Sequence, residues 1–111
     1  MVKITPKIQH NQLYTNSQTT PICVIGSPAW FAWLETATTF RYFSQQRLSM
    51  GHHCYQSLRP ISARKEKRRR GYLWYAYLRT HGYLHKRYLG KSSALTAVRL
   101  DEIAIILNQL W

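Results

Sequence analysis

Apolar positions recur with two different periods in the second half of the chain. Between Gly71 and Gly90 the period is two. Trp74, Ala76 and Leu78 fall on one side of a strand and Tyr75, Tyr77 and Arg79 on the other, because successive side chains of a strand point to opposite faces. Thr80-His81-Gly82 is a turn signal, and the strand pattern resumes from Tyr83 to Gly90, so the segment predicts a β-hairpin. From Thr96 the period becomes helical. Leu100, Ile103, Ala104, Leu107 and Leu110 share one face behind an N-cap at Thr96, while Arg99, Asp101, Glu102, Asn108 and Gln109 occupy much of the other. Asp101 and Glu102 lie towards the helix start, where the macrodipole favours acids.

Earlier segments read more briefly. Ser27-Pro28 is a helix start, and Trp30, Trp33 and Leu34 follow at i, i+3 and i+4 to form an apolar face assigned to the core. Ile22–Ile25, Thr38–Ser44 and Ile61–Glu66 have strand composition, and Gln45–Tyr55 reads as a loop. The polar stretch 1–20 is expected to be a flexible arm and 21–111 a single domain. The predicted fold is α+β: a small antiparallel sheet of three to four strands packed on the C-terminal amphipathic helix, with a short Trp-rich helix near the N-terminus.

The turn sets the faces of the hairpin. A type I turn followed by a bulged Gly82 would pair Arg79 with Tyr83 and Tyr77 with His85. Tyr75, Tyr77, Arg79, Tyr83, His85 and Arg87 would then form one aromatic and basic face without an acid. Trp74, Ala76, Leu78, Leu84 and Tyr88 would face the helix, with Lys86 at their margin. A two-residue turn would shift the pairing by one and mix the two sets.

Charge makes that face matter. Sixteen Lys and Arg stand against four Asp and Glu, a formal +12. Residues 59–111 hold twelve of the bases, and Arg64–Arg70 places six in seven positions. A folded domain this basic repels itself, and a polyanionic partner is the usual reason. Arg64, Lys65, Lys67, Arg68, Arg69, Arg70 and Lys91 are expected to grip phosphates. Arg79, Arg87 and His85 are expected to reach base edges, and Tyr75, Tyr77 and Tyr83 to pack on sugars or bases. The expected partner is nucleic acid, DNA ahead of RNA, with the Trp-rich segment (Trp30, Trp33, and Trp111 at the far end) as a second surface for a protein.

Other chemistry finds little support. Glu35, Glu66, Asp101 and Glu102 are the only carboxylates, too few and too scattered for an acid–base pair or a magnesium site. His52, His53 and Cys54 are adjacent, whereas metal sites space their ligands, and Cys23 and Cys54 match no metal ribbon. The expectation is a non-enzymatic protein with free thiols, no metal or cofactor, and no membrane span or signal peptide. Its expected place is the cytoplasm, with the nucleoid or in a ribonucleoprotein.

Residues 62–107 resemble the arm-type DNA-binding domain of tyrosine recombinases and the related AP2-like domains. The matching positions are Trp74, Tyr75, Tyr77, Arg79, Gly82, Lys86, Arg87, Leu89 and Gly90, followed by the helix from Thr96. The resemblance implies a three-stranded sheet that enters the DNA major groove with a helix behind it. Pro28–Ser44 and the stretch to Arg59 have no counterpart in such domains.

Overall fold

A computed structural model describes residues 5–15 and 20–109. The chain runs β1 (Lys7–Gln9), β2 (Gln12–Tyr14), β3 (Cys23–Val24), α1 (Pro28–Thr36), β4 (Thr39–Phe43), β5 (Arg47–Gly51), β6 (Cys54–Ser57), β7 (Ile61–Arg68), β8 (Gly71–Thr80), β9 (Tyr83–Gly90), a 3-10 turn (Ser92–Ala94) and α2 (Ala97–Asn108). Seven strands form one sheet in the order β3-β2-β1-β4-β7-β8-β9. β1 and β4 are parallel and the other neighbours antiparallel. β5 and β6 form a separate ribbon.

This overturns the expected small antiparallel sheet. The additional strands come from two stretches whose polar composition hid them. Residues 7–14, assigned to the flexible arm, form a hairpin. Its two apolar side chains, Ile8 and Leu13, face each other in register and are fully buried. Two buried aliphatic groups contribute about 1.5–3 kcal/mol each, which anchors so short a pair to the sheet. Residues 1–4 and 16–19 of the expected arm lie outside the described residues. The stretch 45–55, read as a loop, holds β5 and part of β6.

Three hairpins turn on two residues that both have positive φ: His10 (54°) and Asn11 (61°), His52 (48°) and His53 (61°), His81 (48°) and Gly82 (85°). Positive φ at both central positions marks the type I′ turn, whose twist matches that of the flanking strands. His and Asn enter this region more readily than most residues with a Cβ.

Both helices cover one side of the large sheet. Trp30 and Leu34 of α1 are buried, as are Leu100, Ile103, Ala104 and Leu107 of α2. Ala63 sits in register between Phe40 and Ala76. Its small side chain leaves room for the rings of Phe40 and Trp74 to meet at 5.2 Å, and Trp30 packs edge-on to Phe40 at 5.4 Å. The indole N–H of Trp30 donates to the Leu95 carbonyl at 2.8 Å and that of Trp74 to Ser92 Oγ at 2.9 Å. The burial of Trp30 removes it from the expected protein-docking surface, and Trp111 lies outside the described residues.

The helices begin as predicted. Ser27 Oγ accepts from Trp30 N with Pro28 in the first turn, and Thr96 Oγ1 accepts from Arg99 N. Two residues assigned to the polar side of α2 instead fasten it. Asp101 accepts from Tyr42 Oη at 2.6 Å and Ser44 Oγ at 2.7 Å, tying the helix to the end of β4. Asn108 is buried. Its side chain accepts from Arg59 N at 2.8 Å and donates to Arg59 O at 3.2 Å and to Ala104 O at 2.8 Å. Among the described residues no helix is long and apolar enough to cross a membrane.

Candidate nucleic-acid interface

The hairpin β8–β9 turns on His81-Gly82 and not on three residues. Thr80 pairs with Tyr83, Arg79 with Leu84, Leu78 with His85, Tyr77 with Lys86, Ala76 with Arg87 and Tyr75 with Tyr88. Each of these pairings differs by one from the bulged-turn expectation, and beyond a register shift at Trp74/Tyr75, Trp74 pairs with Gly90. A one-residue slip moves each side chain of the second strand to the opposite face. Tyr83, His85 and Arg87 consequently share the helix-bearing side with Leu78 and Ala76, and Lys86 joins Tyr75, Tyr77 and Arg79. The pattern of a single Gly with positive φ after two residues without it occurs one hairpin earlier, at Arg69-Arg70-Gly71.

The sheet face away from the helices thus collects side chains from six strands. Lys7 comes from β1 and Tyr14 from β2; Arg41 and Phe43 come from β4, and Arg64, Glu66 and Arg68 from β7. β8 supplies Tyr75, Tyr77 and Arg79, and β9 supplies Leu84, Lys86 and Tyr88. None of these residues is buried. Alternation along each strand produces the face: on β8 the buried positions Trp74, Ala76, Leu78 and Thr80 are interleaved with the open ones.

Cations and rings are paired across the strands and, for Arg41 and Phe43, along β4. Lys86 Nζ lies 4.3 Å from the Tyr75 ring centroid and 5.6 Å from that of Tyr77. The Arg68 guanidinium is 5.0 Å from Tyr75, and that of Arg64 is 5.4 Å from Tyr77. Arg41 lies 5.4 Å from Phe43, and Lys7 is 5.9 Å from Tyr14. Tyr75 and Tyr88 meet edge to face at 5.6 Å. Such contacts hold long side chains over flat supports.

One acid lies within the face, contrary to the expectation of none. Glu66 accepts a hydrogen bond from Tyr77 Oη and pairs with Arg68 at 2.5 Å and Lys86 at 3.1 Å. The Tyr77 hydroxyl, Lys86 and Arg68 together hold its carboxyl far below the usual carboxylate range, down to about 2. Glu66 in turn pushes the Lys86 ammonium above its ordinary value. The acid therefore serves as a hub that spaces Arg68, Lys86 and Tyr77.

Near the His81-Gly82 turn the face deepens into a groove of about 490 Å³, lined by Arg41, Arg59, Ser62, Arg64, Tyr77 and Arg79 together with Pro60 and Leu84. The Arg59 guanidinium donates to the Arg79 carbonyl at 3.4 Å, and the clamp from Asn108 fixes the Arg59 backbone.

Of the residues singled out from sequence, Arg64, Arg68, Tyr75, Tyr77 and Arg79 come together on this face. Lys65 and Lys67 project to the helix side, since they alternate with Arg64, Glu66 and Arg68 along β7. Lys65 Nζ donates to the carbonyls of Leu34 at 2.6 Å and Glu35 at 3.1 Å, and so caps the C-terminal end of α1. The ammonium expected to grip a phosphate is thus engaged with the backbone. His85 Nε2 is hydrogen-bonded to Thr80 Oγ1 at 2.7 Å on the helix side. Tyr83 and Arg87 are exposed on that side too, on the edge strand. Arg69 and Arg70 form an exposed hairpin tip, and Lys91 is exposed just beyond β9.

Sequence reasoning missed Lys7, Arg41, Glu66, Lys86 and Tyr88. The signal for Arg41 was present, since period-two alternation from Thr39 to Phe43 opposes it to Phe40 and Tyr42. His52 and His53 serve as turn residues of an exposed ribbon, with Cys54 beside them. No group of three or more His, Cys, Asp or Glu that could hold a metal occurs among the described residues. Both cysteine thiols are unpaired, and burial pushes that of Cys23 up.

Comparison of the chain with protein-family models, with curated proteins and with solved structures finds no match.

Proposed function

We propose that this chain binds nucleic acid by laying the open face of its seven-stranded sheet along the phosphate backbone, with duplex DNA the favoured form. The observation that carries the reading is the charge pattern of that face. Lys7, Arg41, Arg64, Arg68, Arg79 and Lys86 stand on it against one carboxylate, Glu66, which is itself ion-paired. Cations arrayed on an uncovered surface suit a polyanion of regular charge spacing.

The rings favour the duplex over a stacked single strand. Base stacking needs open ring faces. Here Lys86 and Arg68 lie over Tyr75, and Lys86 and Arg64 over Tyr77. The tyrosines therefore support cations, and the cations are what a ligand meets first. β7, β8 and β9 are consecutive antiparallel strands with α2 behind them. A role as a regulator or as an accessory of a mobile element fits this reading.

Fluorescence anisotropy with duplex DNA, duplex RNA and single strands over a salt series tests it. Six phosphate contacts give a slope of log affinity on log salt of about −5, and about a thousandfold loss between 50 and 200 mM. Duplex DNA is expected to bind tightest. Absence of binding to any nucleic acid at 50 mM salt overturns the proposal, and tightest binding to single strands overturns the preference for the duplex.

A further inference from the structure

We infer that the groove at the His81-Gly82 end of the open face is a discrete oxyanion site that seats a run of two or more phosphates, and so binds a short free polyphosphate as well as a nucleic-acid backbone. The inference deepens the proposed function and rests on it for the polymer, while the free ligand is accessible to separate measurement.

Three observations carry it. First, three strands bring guanidinium groups to one concavity: Arg41 from β4, Arg64 from β7 and Arg79 from β8, with Arg59 at the rim. Second, among the described residues those of Arg41, Arg64 and Arg79 form no ion pair, and the acid of the open face is engaged elsewhere: Glu66 is held by Arg68 and Lys86. The groove is thus lined by cations with no carboxylate among its walls. Third, the groups are positioned before any ligand arrives. Arg41 rests against Phe43 and Arg64 against Tyr77, and the Arg59 backbone is locked by the buried Asn108 amide. Positioned guanidiniums lose less side-chain entropy on binding than free ones, and their forked donors match phosphate oxygens.

Size and shape decide the class of ligand. At about 490 Å³ the groove lies in the range of small-ligand sites, roughly 300–1,000 Å³. A single phosphate would leave most of it empty, whereas adjacent phosphates use three separate guanidiniums. Ser62 adds a hydroxyl to the wall. Leu84 and Pro60 offer only apolar contact, and no carboxylate side chain is present to repel a phosphate.

The probe is inorganic tripolyphosphate, titrated at 50 mM salt with calorimetry and with side-chain Nε–H NMR signals of arginine. Saturable binding of one equivalent is expected, with perturbation of the Arg41, Arg64 and Arg79 signals. The double variant Arg41→Gln/Arg64→Gln should lose at least tenfold in tripolyphosphate affinity. Lys67→Gln/Arg87→Gln, which removes the same charge from the helix side, should lose less than threefold. Tripolyphosphate should also displace a bound DNA duplex.

Non-saturable binding, or equal losses in the two variants, overturns the site. If duplex DNA binds while tripolyphosphate does not, the groove is refuted and the open-face reading survives. If tripolyphosphate binds at the three arginines while nucleic acid does not, the site stands and the nucleic-acid reading falls.

Discussion

Lys86 stands 4.3 Å from the centre of the Tyr75 ring, on the neighbouring strand and on the open face. That relationship exists because only two residues separate the end of β8 from the start of β9. With a third residue in the turn Lys86 would face the helix side and Arg87 would take its place. The charge pattern of the face therefore depends on a turn of two residues.

The turn can be tested directly. Gly82 has φ +85° with open space at the position of a Cβ, so the cost of a side chain there is conformational and not steric. Gly82→Ala should destabilise the fold by about 1–2 kcal/mol. His81→Asn should be neutral or stabilising, because Asn-Gly is the favoured type I′ pair. Thermal unfolding of the two variants checks both directions.

Asn108 is expected to matter more than its surface-like residue type suggests. Asn108→Ala removes a side chain that is only 2 % exposed and bonds both the N–H and the carbonyl of Arg59. A loss of about 1–3 kcal/mol in chemical denaturation is expected. A loss below 0.5 kcal/mol would mean that the clamp does not hold Arg59.

Lys65 separates a structural cation from a ligand-facing one. Lys65→Met removes the cap on the last carbonyls of α1 and should cost about 0.3–1 kcal/mol of stability. Affinity for duplex DNA should change less than twofold. A large loss of affinity with unchanged stability would return Lys65 to the binding surface.

Glu66 makes a pH prediction. Its carboxyl titrates lower in the folded chain than in an unfolded one, because Tyr77, Lys86 and Arg68 stabilise the charged form. The stabilising contribution is therefore complete above the ordinary value of 4.5 and is lost as pH falls towards about 2. An NMR titration of the Glu66 carboxyl should give a midpoint well below 4. Glu66→Gln should tighten polyanion binding at pH 7, since it removes the one acid of the face. A normal midpoint would contradict the hub assignment.

The sequence made the second half of the fold legible where pattern and local chemistry agree. Thr96 and Ser27 cap their helices, Leu100, Ile103, Ala104 and Leu107 face inward, and Tyr75, Tyr77 and Arg79 alternate with a buried set. Three features escaped for identifiable reasons. β1 and β2 have one fully buried residue each and turn on His10-Asn11 without glycine, so neither periodicity nor turn chemistry marked them. The strand predicted over Ile61–Glu66 runs on through the basic Lys67 and Arg68, because β8 pairs with it as far as Gly71. The register of β9 hung on whether Thr80 belonged to the strand or to the turn, and its 2 % exposure places it in the strand.

The most direct test of the open face is a comparison of two triple variants that each remove three positive charges. Arg41→Gln/Arg64→Gln/Arg79→Gln removes three of the six cations of the open face, and Lys67→Gln/Arg87→Gln/Lys91→Gln leaves it intact. Duplex DNA affinity across a salt series should fall more than tenfold in the first, with the salt slope flattened by about 2.7, and less than threefold in the second. Equal losses and equal slopes in the two would show that net charge alone, and not this face, holds the polyanion.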